Sequence, residues 1–105
     1  MEAILAIDLK RMLDEGKDIF LLDVREHYEW ELGHLESVHI PMGEVCQNLE
    51  RLPEDKWIVV LCKSGRRAEA LSNLLCCEHG FKKLYYLDGG LTSWKETVDS
   101  QLVID

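Results

Sequence analysis

The sequence predicts an α/β domain with a mainly parallel central sheet, and three observations carry that prediction. Three near-continuous apolar runs, 19–22, Trp57–Leu61 and Leu84–Leu87, have the length and the branched and aromatic content of strands covered on both faces. Amphipathic stretches of helical period alternate with them, the pattern of a parallel sheet with crossover helices. Each run also ends on a group suited to chemistry: Asp23-Val24-Arg25, Cys62 and Asp88-Gly89-Gly90. Ligands of such sheets sit beyond the carboxyl ends of the strands, where these groups fall.

The elements follow in order. Asp8 is suited to cap a first helix carrying Leu9, Met12 and Leu13, with Gly16 to end it. After the 19–22 strand, residues 26–32 read as a short helix closed by Gly33. Residues 43–52 read as a helix with Val45, Cys46 and Leu49 on one face, stopped by Pro53. The strand Trp57–Leu61 comes next, and residues 67–79 then place Ala68, Leu71, Leu74, Leu75 and Cys77 at helical spacing, with Gly80 as the stop. After Leu84–Leu87, residues 91–98 form a last helix anchored by Leu91 and Trp94.

Composition narrows the function classes. The chain has 105 residues, 47% of them hydrophobic and 30% charged, enough for one globular core and inconsistent with disorder. No linker, repeat or low-complexity tract divides it, so residues 1–105 read as a single domain. Twelve Lys and Arg against twenty Asp and Glu leave a net charge of −8. Binding to nucleic acid or to an anionic membrane requires a basic footprint, and this composition argues against both. No apolar stretch reaches membrane-spanning length, and residues 1–8 lack the basic start of a signal peptide. Four cysteines, Cys46, Cys62, Cys76 and Cys77, are not spaced as a disulfide framework, and the adjacent pair resists closure. Reduced thiols and a cytoplasmic location are the expectation.

The informative segment is Leu61-Cys62-Lys63-Ser64-Gly65-Arg66-Arg67-Ala68. A cysteine ends a buried strand, and a short loop containing Gly65 leads directly into a helix. Unpaired N–H groups at a helix N-terminus favour an anion, and glycine permits the dihedrals of a tight N–H cradle. A thiolate placed there is expected to have a lowered pKa and to act as a nucleophile near neutral pH. Lys63, Arg66 and Arg67 put three cations at the helix end where the macrodipole disfavours them. Such a local violation marks function, and an anion is its natural compensation.

The other conspicuous residues have plainer readings. Cys46 reads as core, and Cys76 and Cys77 as one packed and one partly exposed thiol. His34 reads as a hydrogen-bonded structural histidine, while His27, His39 and His79 lack metal-ligand spacing and no Cys-x-x-Cys occurs, so no metal site is expected. Trp30, Trp57 and Trp94 read as core or rim packing, and the acidic clusters at 26–36 and 50–55 as solvated faces.

The segment Cys62-Lys63-Ser64-Gly65-Arg66-Arg67 resembles the six-residue active-site loop of the rhodanese family of sulfurtransferases, a Cys-x-x-Gly-x-Arg pattern. Asp23-Val24-Arg25-Glu26 is similar to that family's Asp-x-Arg segment. Gly33-His34-Leu35 with His39-Ile40-Pro41 resembles its Gly-His-Ile…Ile-Pro segment, although it is one residue shorter and has Ser37 near an expected glycine. Asp88-Gly89-Gly90 with Trp94 resembles its closing element. Four fragments in order cover nearly the whole chain.

The resemblance implies a rhodanese-like sheet of about five strands flanked by helices on both faces, and sulfur transfer without a cofactor. Cys62 would take sulfane sulfur from a donor such as thiosulfate as a persulfide and pass it to cyanide or a thiol, including one on a protein. Lys63, Ser64, Gly65, Arg66 and Arg67 would form the binding loop, with Lys63 and Arg66 facing the anion. Asp23 and Arg25 would support the loop, and Arg67 would pair with Asp23. Two other readings stay open: a persulfide carrier with little turnover, and a non-catalytic docking module. Cysteine-based phosphatases and arsenate reductases place five residues between Cys and Arg, whereas four separate Cys62 from Arg67.

Overall fold

The computed structural model describes residues 1–105. In chain order the elements are β1 (Glu2–Ile4), α1 (Ala6–Asp14), β2 (Ile19–Asp23), α2 (His27–Leu32), β3 (Val38–His39), β4 (Trp57–Leu61), α3 (Arg66–His79), β5 (Leu84–Leu87) and α4 (Gly90–Thr97). The five strands form one sheet in the order β1-β5-β4-β2-β3, and every pairing is parallel. In the central β2–β4 ladder Ile19 lies opposite Trp57 and Asp23 opposite Leu61, so the two strands end together at the carboxyl edge.

Strand alternation divides the apolar runs between two cores. On one face Leu22, Ile58, Val60 and Leu84 pack with Ala68, Leu71 and Leu75 of α3 and with Ile40, Val45 and Leu52. On the other, Leu21, Val59, Leu61 and Leu87 pack with Ala6 and Leu9 of α1, Leu91 and Trp94 of α4, and Leu102 and Ile104 of the C-terminal segment. Both faces are covered, which is why the strands read as continuous apolar runs. No helix is long and apolar enough to cross a membrane.

Several boundaries differ from the sequence reading. The helix α1 begins at Ala6 with Leu5 at its cap, so Asp8 sits in the first turn, paired with Arg11 at 3.3 Å. There its carboxylate acts on the helix dipole instead of capping a free N–H. The expected helix over 43–52 is two 3-10 segments, Met42–Gln47 and Leu49–Arg51. Asn48 separates them with a non-helical backbone, its side-chain amide donating to the Glu44 carbonyl at 2.7 Å. This tighter winding buries Val45 and leaves Cys46 exposed, correcting its assignment to the core. Neither β1 nor β3 was marked by an apolar run of strand length, since they have three and two residues. Cys76 is half-buried against the first core and Cys77 is exposed.

Candidate active site

β4 delivers Cys62 to the carboxyl edge of the sheet, and residues 62–65 turn the chain into α3. Gly65, the N-cap of α3, has φ +94°, in the left-handed region that β-carbons disfavour. This turn brings backbone N–H groups at the start of α3 onto the sulfur. Cys62 Sγ accepts from the Gly65 N–H at 3.1 Å and from the Ala68 N–H at 3.4 Å. The cysteine itself is fully buried, while Ser64 and Arg66 on the same loop are exposed.

A second helix N-terminus holds the loop from behind. The Leu91 N–H donates to the Cys62 carbonyl at 2.8 Å, and the Thr92 N–H to the Lys63 carbonyl at 3.0 Å. These are first-turn donors of α4 that lack partners within the helix. The contact requires glycine at position 90: a β-carbon there would lie 2.3 Å from the Lys63 carbonyl oxygen and 2.6 Å from that of Cys62. Two helix dipoles therefore converge on one cysteine, one at its sulfur and one at its backbone.

The charged groups are paired differently from the sequence expectation. Asp23 and Arg25 are both fully buried, and Arg25 donates to both Asp23 oxygens, with contacts of 3.0, 3.2 and 2.9 Å. The same guanidinium donates to the carbonyls of Glu29 at 3.2 Å and Gly33 at 2.9 Å, tying α2 to the end of β2. Asp23 is thus occupied, and Arg67 does not pair with it. Arg67 makes a two-pronged bond to Glu29, at 2.8 and 2.9 Å. Such fork-to-fork pairs are the strong, geometrically specific ones. The Arg67 hydrogen bond holds the Glu29 carboxyl down at about 2, against the upward push of its burial. Glu29 in turn raises the pKa of Arg67.

Lys63, expected to face an incoming anion, forms an ion pair with Asp105. That contact raises the pKa of Lys63 and lowers that of Asp105. Arg66 is exposed and makes no ion pair. Of the three loop cations, two have carboxylate partners in the fold and one is free.

Sequence reasoning missed Glu29 and Asp105, and it singled out Gly90 at a strand end without foreseeing its close contact with the Cys62 and Lys63 carbonyls. Glu29 did leave a signal: it stands three residues after Glu26, and the structure forms a reciprocal capping box between them. For Asp105 the sequence held none.

The family model for the rhodanese-like domain matches residues 5–97. The chain belongs to the rhodanese-like family. Among its relatives, the putative sulfurtransferase YtwF of Bacillus subtilis is 35% identical over 88 residues, covering 83% of this chain and 84% of that protein. The probable adenylyltransferase/sulfurtransferase MoeZ of Mycobacterium tuberculosis is 33% identical over 101 residues, covering 92% of this chain. This chain corresponds to only 25% of that longer protein. Among solved structures, the rhodanese-related protein of Thermoplasma volcanium superposes over 100% of both chains with a TM-score of 0.84 at 28% identity. The five-stranded parallel sheet with helices on both faces is the rhodanese-like architecture.

Proposed function

We propose that this rhodanese-like domain is a sulfurtransferase that carries sulfane sulfur as a persulfide on Cys62. The observation that supports this most directly is the pair of backbone N–H groups, from Gly65 and Ala68, directed at the Cys62 sulfur. A thiolate is the nucleophile in sulfur exchange, and these donors together with the dipole of α3 stabilise it.

With thiosulfate as donor, the Cys62 thiolate attacks the outer sulfur. A new S–S bond forms to Cys62, the bond to the sulfite sulfur breaks, and sulfite leaves with the electron pair. The terminal persulfide sulfur then carries the negative charge, next to the Cys62 sulfur at which the Gly65 and Ala68 N–H groups are directed. Cyanide attacks the terminal sulfur, thiocyanate departs, and the S–S electrons return to Cys62 as thiolate. This is nucleophilic catalysis with electrostatic stabilisation of the kind used in oxyanion holes. No cofactor enters this cycle, since each step is an exchange at sulfur. Arg66, exposed and without an ion pair, is the loop cation available to meet the incoming anion. The burial of Cys62 favours small donors.

Intact mass after incubation with thiosulfate tests the cycle. The expected result is a gain of one sulfur atom that is lost on adding cyanide and absent in Cys62→Ala. Failure of wild type to take up sulfur from any sulfane donor would overturn the enzymatic reading in favour of a docking module.

A further inference from the structure

We propose that Glu29 is a positioning residue for the Cys62 site: from α2 it clasps the Arg67 guanidinium and offsets its positive charge beside the reactive sulfur. The inference deepens the sulfurtransferase reading and rests on it. Glu29 and Arg67 are 38 positions apart and meet only in the folded chain. Arg67 lies in the first turn of α3, immediately before Ala68, whose N–H donates to the Cys62 sulfur at 3.4 Å, and its guanidinium is bonded to Glu29. Glu29 is itself held from several directions. One carboxylate oxygen accepts the Glu26 N–H at 3.0 Å, and its backbone carbonyl accepts from Arg25 at 3.2 Å. The buried pair Asp23–Arg25 anchors that arrangement to β2.

The groups facing this pair are few. On α2 they are Glu29 and Tyr28, and on α3 Arg67. The loop presents Lys63, already paired with Asp105 of the C-terminal segment, and β2 contributes Arg25, already paired with Asp23. Arg25, Lys63 and Arg67 each have a carboxylate partner, and Arg66 of the same loop has none. The result is a cradle whose hold on an anion comes mainly from oriented N–H dipoles, with little surplus cationic charge.

The charge-balancing role has a signed consequence that a purely structural salt bridge lacks. Glu29→Gln keeps the side-chain shape, the capping box and an acceptor for Arg67, but removes the negative charge. Arg67→Ala removes the cation and leaves the carboxylate. The test follows alkylation of Cys62 by iodoacetamide as a function of pH, with the modified residue located by peptide mass so that Cys46, Cys76 and Cys77 do not contribute. Relative to wild type, the midpoint of the profile is expected to fall by about half a pH unit or more in Glu29→Gln and to rise in Arg67→Ala. The double variant is expected between the two, and Glu29→Asp close to wild type. Midpoints that stay put, or that move in the same direction in both single variants, would overturn the proposal. Alkylation needs no sulfur donor, so a failure here is distinguishable from a wild-type protein that never forms a persulfide.

Discussion

Glu29 is linked to stability as well as to the site. Its carboxyl is lowered from 4.5 to about 2 by Arg67, so the folded protein binds its proton less readily than the unfolded chain. The associated stability is fully present above about pH 5 and drains away as acid approaches the folded value. Because Arg67 is 35% exposed, we set the contribution at about 1–2 kcal/mol, below what the shift alone implies. Urea unfolding is expected to find wild type more stable than Glu29→Gln near neutral pH, with the gap closing between about pH 5 and pH 2.5. A gap that stays constant with pH would refute the linkage. At this scale Cys62 was legible in the sequence, because its neighbours Gly65, Arg66 and Arg67 all break the pattern of an ordinary strand–helix junction. The partner of Arg67 was not. Asp23 and Glu29 are both acidic residues near the same strand end, and only the fold shows Arg25 already occupying Asp23.

Among the elements, the contact between α4 and the 62–65 loop is the most sensitive to a single atom. Gly90 has φ +61° and no space for a β-carbon against the carbonyls of Cys62 and Lys63. Gly90→Ala is expected to destabilise by roughly 2–4 kcal/mol and to disturb the loop together with the fold. Thermal unfolding combined with the rate of Cys62 alkylation checks this; unchanged values of both would refute it. A lone Gly-Gly pair is too common a feature to have announced this role, since it depends on how closely α4 approaches carbonyls 27 and 28 residues earlier. The helices α3 and α4 were legible because Ala68, Leu71 and Leu75, and Leu91 and Trp94, hold their spacing and are buried. The 43–52 segment shares an apolar spacing but winds as 3-10, because Pro41 sets its start and Asn48 interrupts it.

For the molecule as a whole, the sheet separates two cores with different duties. The first contains Cys62 and the buried face of α3, and the second is built by α1, α4 and the C-terminal segment. Leu9 is fully buried in the second core, whereas the thiol belongs to the first. Leu9→Ala is expected to cost roughly 2–5 kcal/mol in denaturant unfolding while the Cys62 alkylation profile keeps its midpoint. A shifted midpoint would mean that the two cores are coupled through the sheet. The net charge of −8 also takes a different meaning here. The three loop cations are not a free basic island, because Glu29 and Asp105 draw two of them into ion pairs and leave Arg66.

The sequence by itself determined the α/β class, the central strands and the cysteine at a strand–loop–helix junction. Those features are written in local patterns: apolar runs, helical spacing, and a glycine and cations beside a thiol. The tertiary structure alone decided the short edge strands, the close seating of α4 on the loop, and the pairing of Arg67 with Glu29 and Lys63 with Asp105. The physical reason is range. Backbone propensity and side-chain periodicity act over a few residues, whereas these pairings join groups tens of positions apart, and their geometry exists only once the sheet has brought them together.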